Sequence, residues 1–239
     1  MLSKNVIKYI QTLGLKKNRD QTGLFVAEGP KVVMELIEAV PQKIQKLYAV
    51  ESWAKKLTKP WPLEIVTEEE LARISFLKTA NTVLAVVNQF DVAPPTPGIR
   101  ALYLDTLQDP GNLGTILRIA DWFGIKQVVC SAGCAELYNS KVVQASMASI
   151  ARVKVWYDEQ ENWLAQQTIP IYAATLQGEA LHTSPKMKNG ILLIGNESKG
   201  IRQEFIAMAT HKITIEKRGE AESLNAAVAT GIILSHLLA

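Results

Sequence analysis

The stretch Leu192-Leu-Ile-Gly-Asn-Glu-Ser-Lys-Gly-Ile201 decides how the second half of the chain folds. It begins with an apolar run, as in a strand buried on both faces of a sheet, and it ends where a helical pattern starts. Two glycines around an amide and an acid are typical of a tight loop whose backbone approaches a ligand. The sequence therefore predicts a strand, a polar loop and a helix in succession.

The same succession recurs throughout residues 100–239. Short apolar runs predict strands at Leu102–Leu104, Gln127–Cys130, Val153–Trp156, Ile171–Ala174, Ile191–Ile194 and Ile213–Ile215. Helical patterns separate most of them, at Thr115–Phe123, Lys141–Ile150, Glu161–Gln167, Arg202–Met208 and Leu224–Leu238. This alternation predicts an α/β fold with a mainly parallel sheet and helices on both faces. Because such sheets bind ligands beyond the carboxyl ends of their strands, the loops there form the candidate site.

A proline-rich segment separates this region from the amino-terminal part of the chain. Asp91-Val-Ala-Pro-Pro-Thr-Pro-Gly98 forbids helix and interrupts strand pairing, so residues 91–99 are predicted to be a linker. Residues 1–90 are predicted to form a small α/β domain. Its expected strands and helices are Gly23–Ala27, Pro30–Val40, Lys46–Val50, Leu63–Val66, Glu68–Ile74 and Thr82–Asn88.

Charge is unevenly distributed along the chain, whose formal net charge is +3. Residues 1–60 carry eleven Lys and Arg against five Asp and Glu, whereas the rest of the chain is slightly acidic. If the partner is a polyanion, the basic end is expected to meet it. A solvated lysine-rich surface is the alternative that charge alone leaves open.

Several functional classes are disfavoured by the sequence. No apolar run approaches the roughly 18 residues of a membrane span, and Lys4 and Lys8 interrupt the only candidate signal segment, so a cytoplasmic protein is expected. Two cysteines, Cys130 and Cys134, and three scattered histidines predict no metal site. The glycine-rich phosphate-binding patterns G-x-x-x-x-G-K-[ST] and G-x-G-x-x-G do not occur, which weighs against binding of nucleoside triphosphates and dinucleotides.

Two further loops share the polar composition of the first. In Leu104–Arg118, Pro110 and Gly111 predict a turn and Asn112 a helix cap, with Gly114 and Arg118 on one face of the helix that follows. In Ile213–Asn225, Ser223 is the expected cap of the last helix. For each loop alone, an ordinary capped and packed helix is the alternative.

Together the three loops resemble the SpoU (TrmH-like) family of RNA ribose 2′-O-methyltransferases, within the SPOUT class. The resemblance rests on Asn112-x-Gly114-x-x-x-Arg118, Gly195-Asn-Glu197-x-x-Gly200 and Ile215-x-x-x-Gly219-x-x-x-Ser223-Leu-Asn225, in this order and each after a predicted strand. The amino-terminal stretch, with Lys16-Lys-Asn-Arg19 and Phe25-Val-Ala-Glu28-Gly29-Pro-Lys31, looks like the substrate-binding domain of many members. That domain is similar to small ribosomal proteins that bind bent RNA.

The resemblance implies a deep trefoil knot, an obligate homodimer and bound S-adenosylmethionine. The implied cofactor-binding residues are Thr175, Leu176, Gly178, Gly195, Asn196, Glu197, Ile215, Ser223, Leu224 and Asn225. Arg118 matches the arginine to which the family assigns activation of the ribose hydroxyl, and Asn112 matches its polar neighbour. The expected RNA contacts are Lys16, Lys17, Arg19 and Lys31.

The chemistry of these residues refines the expectation. An arginine stays charged, so Arg118 is expected to stabilise the developing oxyanion or to hold a phosphate while a neighbour or water takes the proton. Three positions depart from the family pattern: Glu216 replaces a common proline, Ala148 a common glycine and Gln144 a frequent arginine. The preferred substrate is large-subunit ribosomal RNA. The alternatives are transfer RNA, or a catalytically silent RNA-binding or ribosome-assembly protein.

Overall fold

The computed structural model describes residues 1–238, which divide into two compact units. The N-terminal unit consists of Met1–Asp91 together with Glu136–Ala151. The C-terminal unit consists of Val92–Ala135 and the chain from Arg152 onward. The chain thus leaves the N-terminal unit at the start of the proline-rich segment and returns to it for sixteen residues later in the sequence.

Strands and helices are numbered in chain order. The strands are β1 (Leu24–Glu28), β2 (Ile44–Ala49), β3 (Leu63–Ile65), β4 (Val83–Asn88), β5 (Ala101–Leu104), β6 (Gln127–Ser131), β7 (Lys154–Asp158), β8 (Ile171–Ala180), β9 (Ile191–Ile194) and β10 (His211–Thr214). The helices are α1 (Lys4–Thr12), α2 (Lys16–Thr22), α3 (Pro30–Ala39), α4 (Glu51–Ala54), α5 (Glu68–Ile74), α6 (Pro110–Trp122), α7 (Ser140–Ser146), α8 (Gln203–Ala207) and α9 (Ala226–Leu238).

The N-terminal unit is built on a four-stranded mixed sheet of order β1-β4-β2-β3. Strand β4 pairs antiparallel with β1 and β2, and β3 pairs parallel with β2. Helix α7 packs on β1, and the ring of Tyr138, just before α7, lies 4.8 Å from that of Phe25. The Tyr138 hydroxyl accepts a hydrogen bond of 2.8 Å from the backbone N–H of Phe90, and burial raises its pKa to about 12. These contacts explain why α7 joins this unit.

The C-terminal unit is built on six parallel strands in the order β10-β8-β9-β5-β6-β7. This arrangement confirms the predicted parallel sheet. Its core contains the fully buried Tyr103, stacked on Trp163 at 6.1 Å and meeting the edge of Phe205 at 5.2 Å. Because the strands are parallel, the loops after β5, β6, β7 and β9 leave the sheet at one edge.

Two local predictions in the C-terminal unit are wrong. The helix expected at Glu161–Gln167 is only a single 3₁₀ turn at Leu164–Gln166. The loop expected after Ala174 lies inside β8, where the pairing with β10 jumps from Ala173 to Glu179. Residues 174–178 therefore form a bulge of β8, an irregularity that apolar periodicity does not reveal.

The end of α7 accounts for one departure from the family pattern. Met147 and Ala148 have φ angles of +47° and +66°, the left-handed conformation that ends the helix. This conformation costs a side-chain-bearing residue about 1–2 kcal/mol, whereas glycine adopts it freely. The buried methyl group of Ala148 offsets part of that cost. The position therefore accepts alanine or glycine without a change of backbone.

Within residues 1–238, no helix is long and apolar enough to span a membrane.

Candidate active site

Three polar side chains from three separate loops form one hydrogen-bonded chain in the C-terminal unit. The Asn112 amide, in the first turn of α6, donates from Nδ2 to Glu197 Oε1 at 2.8 Å. The Asn225 amide, directly before α9, donates from Nδ2 to Asn112 Oδ1 at 2.8 Å. The loops after β5, β9 and β10 thus meet at these residues, and we call them the amide–carboxylate chain.

The hydrogen-bond partners of the amide–carboxylate chain allow only one orientation of each of its two side-chain amides. Backbone N–H groups of Ala227 and Val228 donate to Asn225 Oδ1 at 2.9 and 3.2 Å, so the amide nitrogen of Asn225 faces Asn112. The oxygen of Asn112 must then face Asn225, and its nitrogen must face Glu197. An ionised carboxylate is an acceptor only, which completes the chain without a conflict.

The first turn of α6 places Asn112 for this role. Asp109, not Asn112, caps the helix: Asp109 Oδ1 accepts from the backbone N–H of Asn112 at 2.7 Å, and α6 begins at Pro110. The predicted turn at Pro110 and Gly111 is therefore wrong, since both belong to the helix. Proline suits this first position because its missing N–H would have no partner there. The amide of Asn112 stays available for Glu197.

A similar correction applies at the start of α9. The predicted cap Ser223 is exposed and lies before the helix, whereas Asn225 accepts the first free N–H groups of α9. Asn225 therefore both caps α9 and belongs to the amide–carboxylate chain.

The loop from Gly195 to Gly200 closes on itself. Asn196 and Gly200 exchange two backbone hydrogen bonds of 3.0 and 2.9 Å, and a Cβ on Gly195 would lie 2.3 Å from the Gly200 carbonyl carbon. No side chain fits there, so Gly195 is required. Asn196 Oδ1 accepts from the N–H groups of Ser198 and Lys199, while its Nδ2 donates to the Thr106 carbonyl at 2.8 Å. One amide therefore shapes this loop and ties it to the loop after β5.

The remaining predicted cofactor residues lie around β8 and β10, which are neighbours in the sheet. Gly178 approaches β10 so closely that a Cβ would lie 2.5 Å from the Lys212 carbonyl oxygen. Thr175 Oγ1 donates to the Gln177 carbonyl at 2.9 Å, and Ile215, just after β10, is half-buried. Leu176 and Leu224 are both exposed, at 75% and 47%. Within residues 1–238, no hydrogen bond joins these residues to the amide–carboxylate chain.

Arg118 stands apart from the amide–carboxylate chain. It follows Asn112 by six residues, which on an α-helix corresponds to about 120° around the axis and about 9 Å along it. Its side chain is exposed and has no hydrogen bond or ion pair among the described residues. Gly114, on the same side of α6, is buried. The structure therefore brings Asn112, Glu197 and Asn225 together but leaves Arg118 on an open surface.

Comparison with known proteins decides the relationship. The model of the SpoU rRNA Methylase family matches residues 100–235, more than half of the chain. The chain belongs to the SpoU rRNA methylase family. Residues 4–85 match a second model, the MRM3-like substrate binding domain.

The similarity of this SpoU family member to known proteins covers both parts of the chain. The 23S rRNA (guanosine(2553)-2′-O)-methyltransferase RlmP of Bacillus subtilis is 28% identical over 97% of this chain and 95% of its own length. A solved structure from Porphyromonas gingivalis, described as an RNA methyltransferase of the TrmH family, is 36% identical with a TM-score of 0.88, over 99% and 98% of the two chains. The AdoMet-bound rRNA methyltransferase of Sinorhizobium meliloti is 30% identical with a TM-score of 0.83, over 99% and 95%.

The four cations predicted to contact RNA have different surroundings in the N-terminal unit. Lys17 and Lys31 are exposed and make no hydrogen bond or ion pair within the described residues, while Lys16 pairs with Asp20 at 2.7 Å. Arg19 is only 4% exposed and donates to Glu136 Oε2 at 2.6 Å and to the Leu13 carbonyl at 2.8 Å. The low exposure of Arg19 leaves little of its side chain for an RNA phosphate to reach, so its RNA contact stays a prediction.

The departure at Glu216 also has a structural counterpart. Its carboxylate contacts Nδ1 of His182, and this contact holds the pKa of Glu216 below its usual range. A proline in this position would lack the ion-pairing group. Where the resemblance implies a proline, this chain therefore makes a side-chain contact. Residues 1–238 contain no group of side chains able to hold a metal ion.

Three charged residues near the site were missed by sequence reasoning: Asp105, Glu161 and Arg202 join in one ion-paired cluster. Asp105 directly follows the buried strand β5, and Arg202 follows the Gly195–Gly200 loop. An acid at the end of a buried strand and an arginine just after a binding loop were the available signals. Their pairing across 97 residues of sequence could not be read from either.

Proposed function

We propose that this protein transfers the methyl group of S-adenosylmethionine to a ribose 2′-hydroxyl of large-subunit ribosomal RNA. The observation that carries the proposal is the amide–carboxylate chain, which joins one residue from each of the three family motifs at 2.8 Å contacts. Membership of the SpoU rRNA methylase family and the match to a substrate-binding domain support the choice of RNA. The similarity to RlmP over nearly the whole chain supports ribosomal RNA.

The residues of the β8 bulge and those that follow β9 and β10 fit S-adenosylmethionine. The self-closed loop at Gly195–Gly200 offers a rigid backbone, and the exposed Leu176 and Leu224 offer apolar surface to a flat aromatic base. We assign Gly195, Ile215 and Leu224 to the adenosine part. When bound, the cofactor supplies an electrophilic methyl group on a sulfonium centre.

The protein's own groups then have two tasks: they must orient the ribose hydroxyl and hold developing charge. Glu197 and Asn225 fix the Asn112 amide in a single orientation, so that a ribose placed beside it meets a rigid polar edge rather than a mobile side chain. Arg118, which stays charged, stabilises the developing oxyanion or holds the neighbouring phosphate. The proton leaves to a neighbouring group or to water.

The exposed position of Arg118 supports a homodimer. Trp122 is 84% exposed and lies one turn beyond Arg118 on the same face of α6, and Val228 and Ile232 on α9 are 51% and 40% exposed. Helices α6 and α9 pack together, since a Cβ on Gly231 would lie 3.7 Å from Ile119 Cδ1. We infer that a second copy covers this apolar surface and encloses Arg118. The trefoil knot and the cytoplasmic location belong to the same proposal.

Methyl transfer from radiolabelled S-adenosylmethionine tests the proposal, with total RNA from cells that lack the protein as substrate. The wild type should label one large ribosomal RNA, and Arg118→Ala should lower kcat about 100- to 1,000-fold with cofactor affinity unchanged. Arg118→Lys is the matched control, because lysine keeps the charge but lacks the planar fork. Near-full turnover with lysine would show that the charge suffices without the planar group, whereas near-full turnover with alanine would contradict both roles given to Arg118. Label confined to transfer RNA would move the substrate to the alternative.

A further inference from the structure

A fully buried carboxylate lies at the end of β5, next to Thr106, whose carbonyl binds the Gly195–Gly200 loop through Asn196. Asp105 follows β5, and its side chain is 1% exposed. Its oxygens accept two hydrogen bonds of 2.8 Å from Arg202, one from the backbone N–H and one from Nε. The hydroxyl of Thr106 adds a third at 2.9 Å. A buried charge of this kind persists only where its partners stay in place.

The other end of the Arg202 guanidinium holds a second acid. Its Nη1 and Nη2 donate to the two oxygens of Glu161 at 2.7 and 2.8 Å, and its carbon lies 4.5 Å from the centre of the Phe205 ring. Glu161 Oε1 also accepts from the backbone N–H of Ala132 at 3.2 Å, and the arginine lowers the pKa of Glu161. One guanidinium therefore links the loops after β5, β7 and β9, and Glu161 extends this link to the loop after β6.

Asp105, Glu161 and Arg202 form an ion-paired cluster that we call the clamp. The clamp is one of two contacts that hold the Gly195–Gly200 loop. At the start of the loop, Asn196 Nδ2 donates to the Thr106 carbonyl, and just past its end Arg202 binds Asp105. The two contacts are made to Thr106 and Asp105, which are adjacent residues between β5 and α6. The position of Glu197 relative to Asn112 thus depends on Arg202, although Arg202 is not in the amide–carboxylate chain.

We propose that Arg202 is a positioning residue for methyl transfer, which sets cofactor affinity by holding the Gly195–Gly200 loop against the end of β5. This inference rests on the proposed function and goes beyond it, since none of the three family motifs includes Arg202. Only a planar fork can serve Asp105 and Glu161 at once, so lysine cannot replace it. The clamp orders the Gly195–Gly200 loop before the cofactor binds. Without the clamp, the loop must become ordered during binding, which lowers the affinity for the cofactor.

The test compares three variants by calorimetric affinity for S-adenosylmethionine, by kcat and KM, and by thermal unfolding. Arg202→Met and Arg202→Lys should raise the Kd and the KM for the cofactor at least tenfold, with kcat lowered less than fourfold. Arg152→Met is the matched control, because Arg152 also binds an acid, Asp121, at 2.6 Å in the same unit. It should leave Kd and KM within twofold of the wild type at a temperature where all variants are folded.

Chemical rescue distinguishes positioning from a general loss of structure. Adding guanidinium at non-denaturing concentration to Arg202→Ala should restore cofactor affinity at least threefold, whereas methylammonium should not. If Arg202 variants do not fold, Glu161→Gln keeps the side-chain shape, removes one charge of the clamp and should raise Kd about threefold.

Folded Arg202 variants whose Kd stays within threefold of the wild type would overturn the inference. A Glu161→Gln value equal to that of the wild type would do the same. A wild type that neither binds S-adenosylmethionine nor methylates RNA would instead refute the proposed function, so the two failures are distinguishable.

Discussion

The polar residues of the C-terminal unit and the cations of the N-terminal unit are held in opposite ways. Asn112, Glu197 and Asn225 have one allowed orientation each, fixed by hydrogen bonds of 2.8 to 3.2 Å. Lys17 and Lys31 extend from the surface with no partner among residues 1–238. The difference fits the two tasks that we propose for them: a transfer reaction needs atoms aligned, whereas attraction to RNA phosphates needs only charge near a surface.

Two arginines, Arg19 and Arg118, show the same difference between a fixed and an unpaired side chain. Arg19 comes from the basic N-terminal stretch but is buried against Glu136, as a structural residue would be. Arg118 comes from the first of the three family motifs and is exposed. The partners that the fold provides, and not the residue type, decide whether an arginine is buried or exposed.

The largest effect is expected for a substitution that introduces a charge into the amide–carboxylate chain. In Asn112→Asp, a carboxylate replaces the donor that faces Glu197, so two like charges meet at hydrogen-bonding distance. We expect kcat/KM for methyl transfer to fall about 100-fold, in line with the loss of one preorganised polar contact. Steady-state kinetics with ribosomal RNA as substrate measures this.

The matched control is the double variant Asn112→Asp, Glu197→Gln. The glutamine amide can donate to the new carboxylate, so at least a tenfold recovery over Asn112→Asp is expected. Glu197→Gln alone keeps an acceptor for Asn112 and should lose less than tenfold. A double variant no more active than Asn112→Asp would show that this contact does not organise the site.

The next effect concerns stability rather than activity. Arg19→Met leaves Glu136, whose side chain is 20% exposed, without its charged partner. We expect a loss of about 2 kcal/mol in the free energy of unfolding, measured by denaturant titration. Lys16→Met, which removes an exposed pair with Asp20, should cost no more than about 0.5 kcal/mol. Folded Arg19→Met should bind RNA within twofold of the wild type, and a tenfold loss would support Arg19 as an RNA contact.

The smallest effect is expected at the exposed lysines. Lys17→Glu with Lys31→Glu should weaken RNA binding about tenfold at low salt and reduce the slope of log K against log salt by about 0.7 to 0.9 for each phosphate that a lysine no longer neutralises. Cofactor affinity should not change. Lys154→Glu, an exposed lysine of the C-terminal unit, serves as the control. Equal losses in both variants would mean that overall charge matters and not this surface.

The parallel sheet could be predicted from sequence, because buried strands have a local apolar pattern, whereas the site residues were proposed from the resemblance of three loops to a family. Apolar runs indicated the six strands of the C-terminal unit to within a few residues, except that β8 continues through a bulge to Ala180. The glycine at 195 was predicted to lie in a tight loop, and a Cβ there would indeed collide with Gly200. Both predicted helix caps are wrong, because Asp109 and Asn225 cap the two helices in place of equally suitable neighbours.

Contacts between distant segments could not be predicted in this way. Nothing in the run Ser140–Ser146 indicates that α7 packs on β1, more than a hundred residues earlier. This packing also bears on experiments: deletion of residues 1–92 would uncover the buried Val142 and Val143 of α7, so point substitutions are the cleaner test of RNA binding. The cluster of Asp105, Glu161 and Arg202 was missed for the same reason.

The position of the transferred methyl group is the sharpest test of the proposed activity. A ribose 2′-O-methyl group removes the hydroxyl that attacks the neighbouring phosphate in alkali, so the labelled RNA should yield an alkali-resistant dinucleotide. We expect all label from S-adenosylmethionine in large-subunit ribosomal RNA to be found in one such dinucleotide. Label released in a single nucleotide, with the methyl group on a base, would contradict ribose methylation.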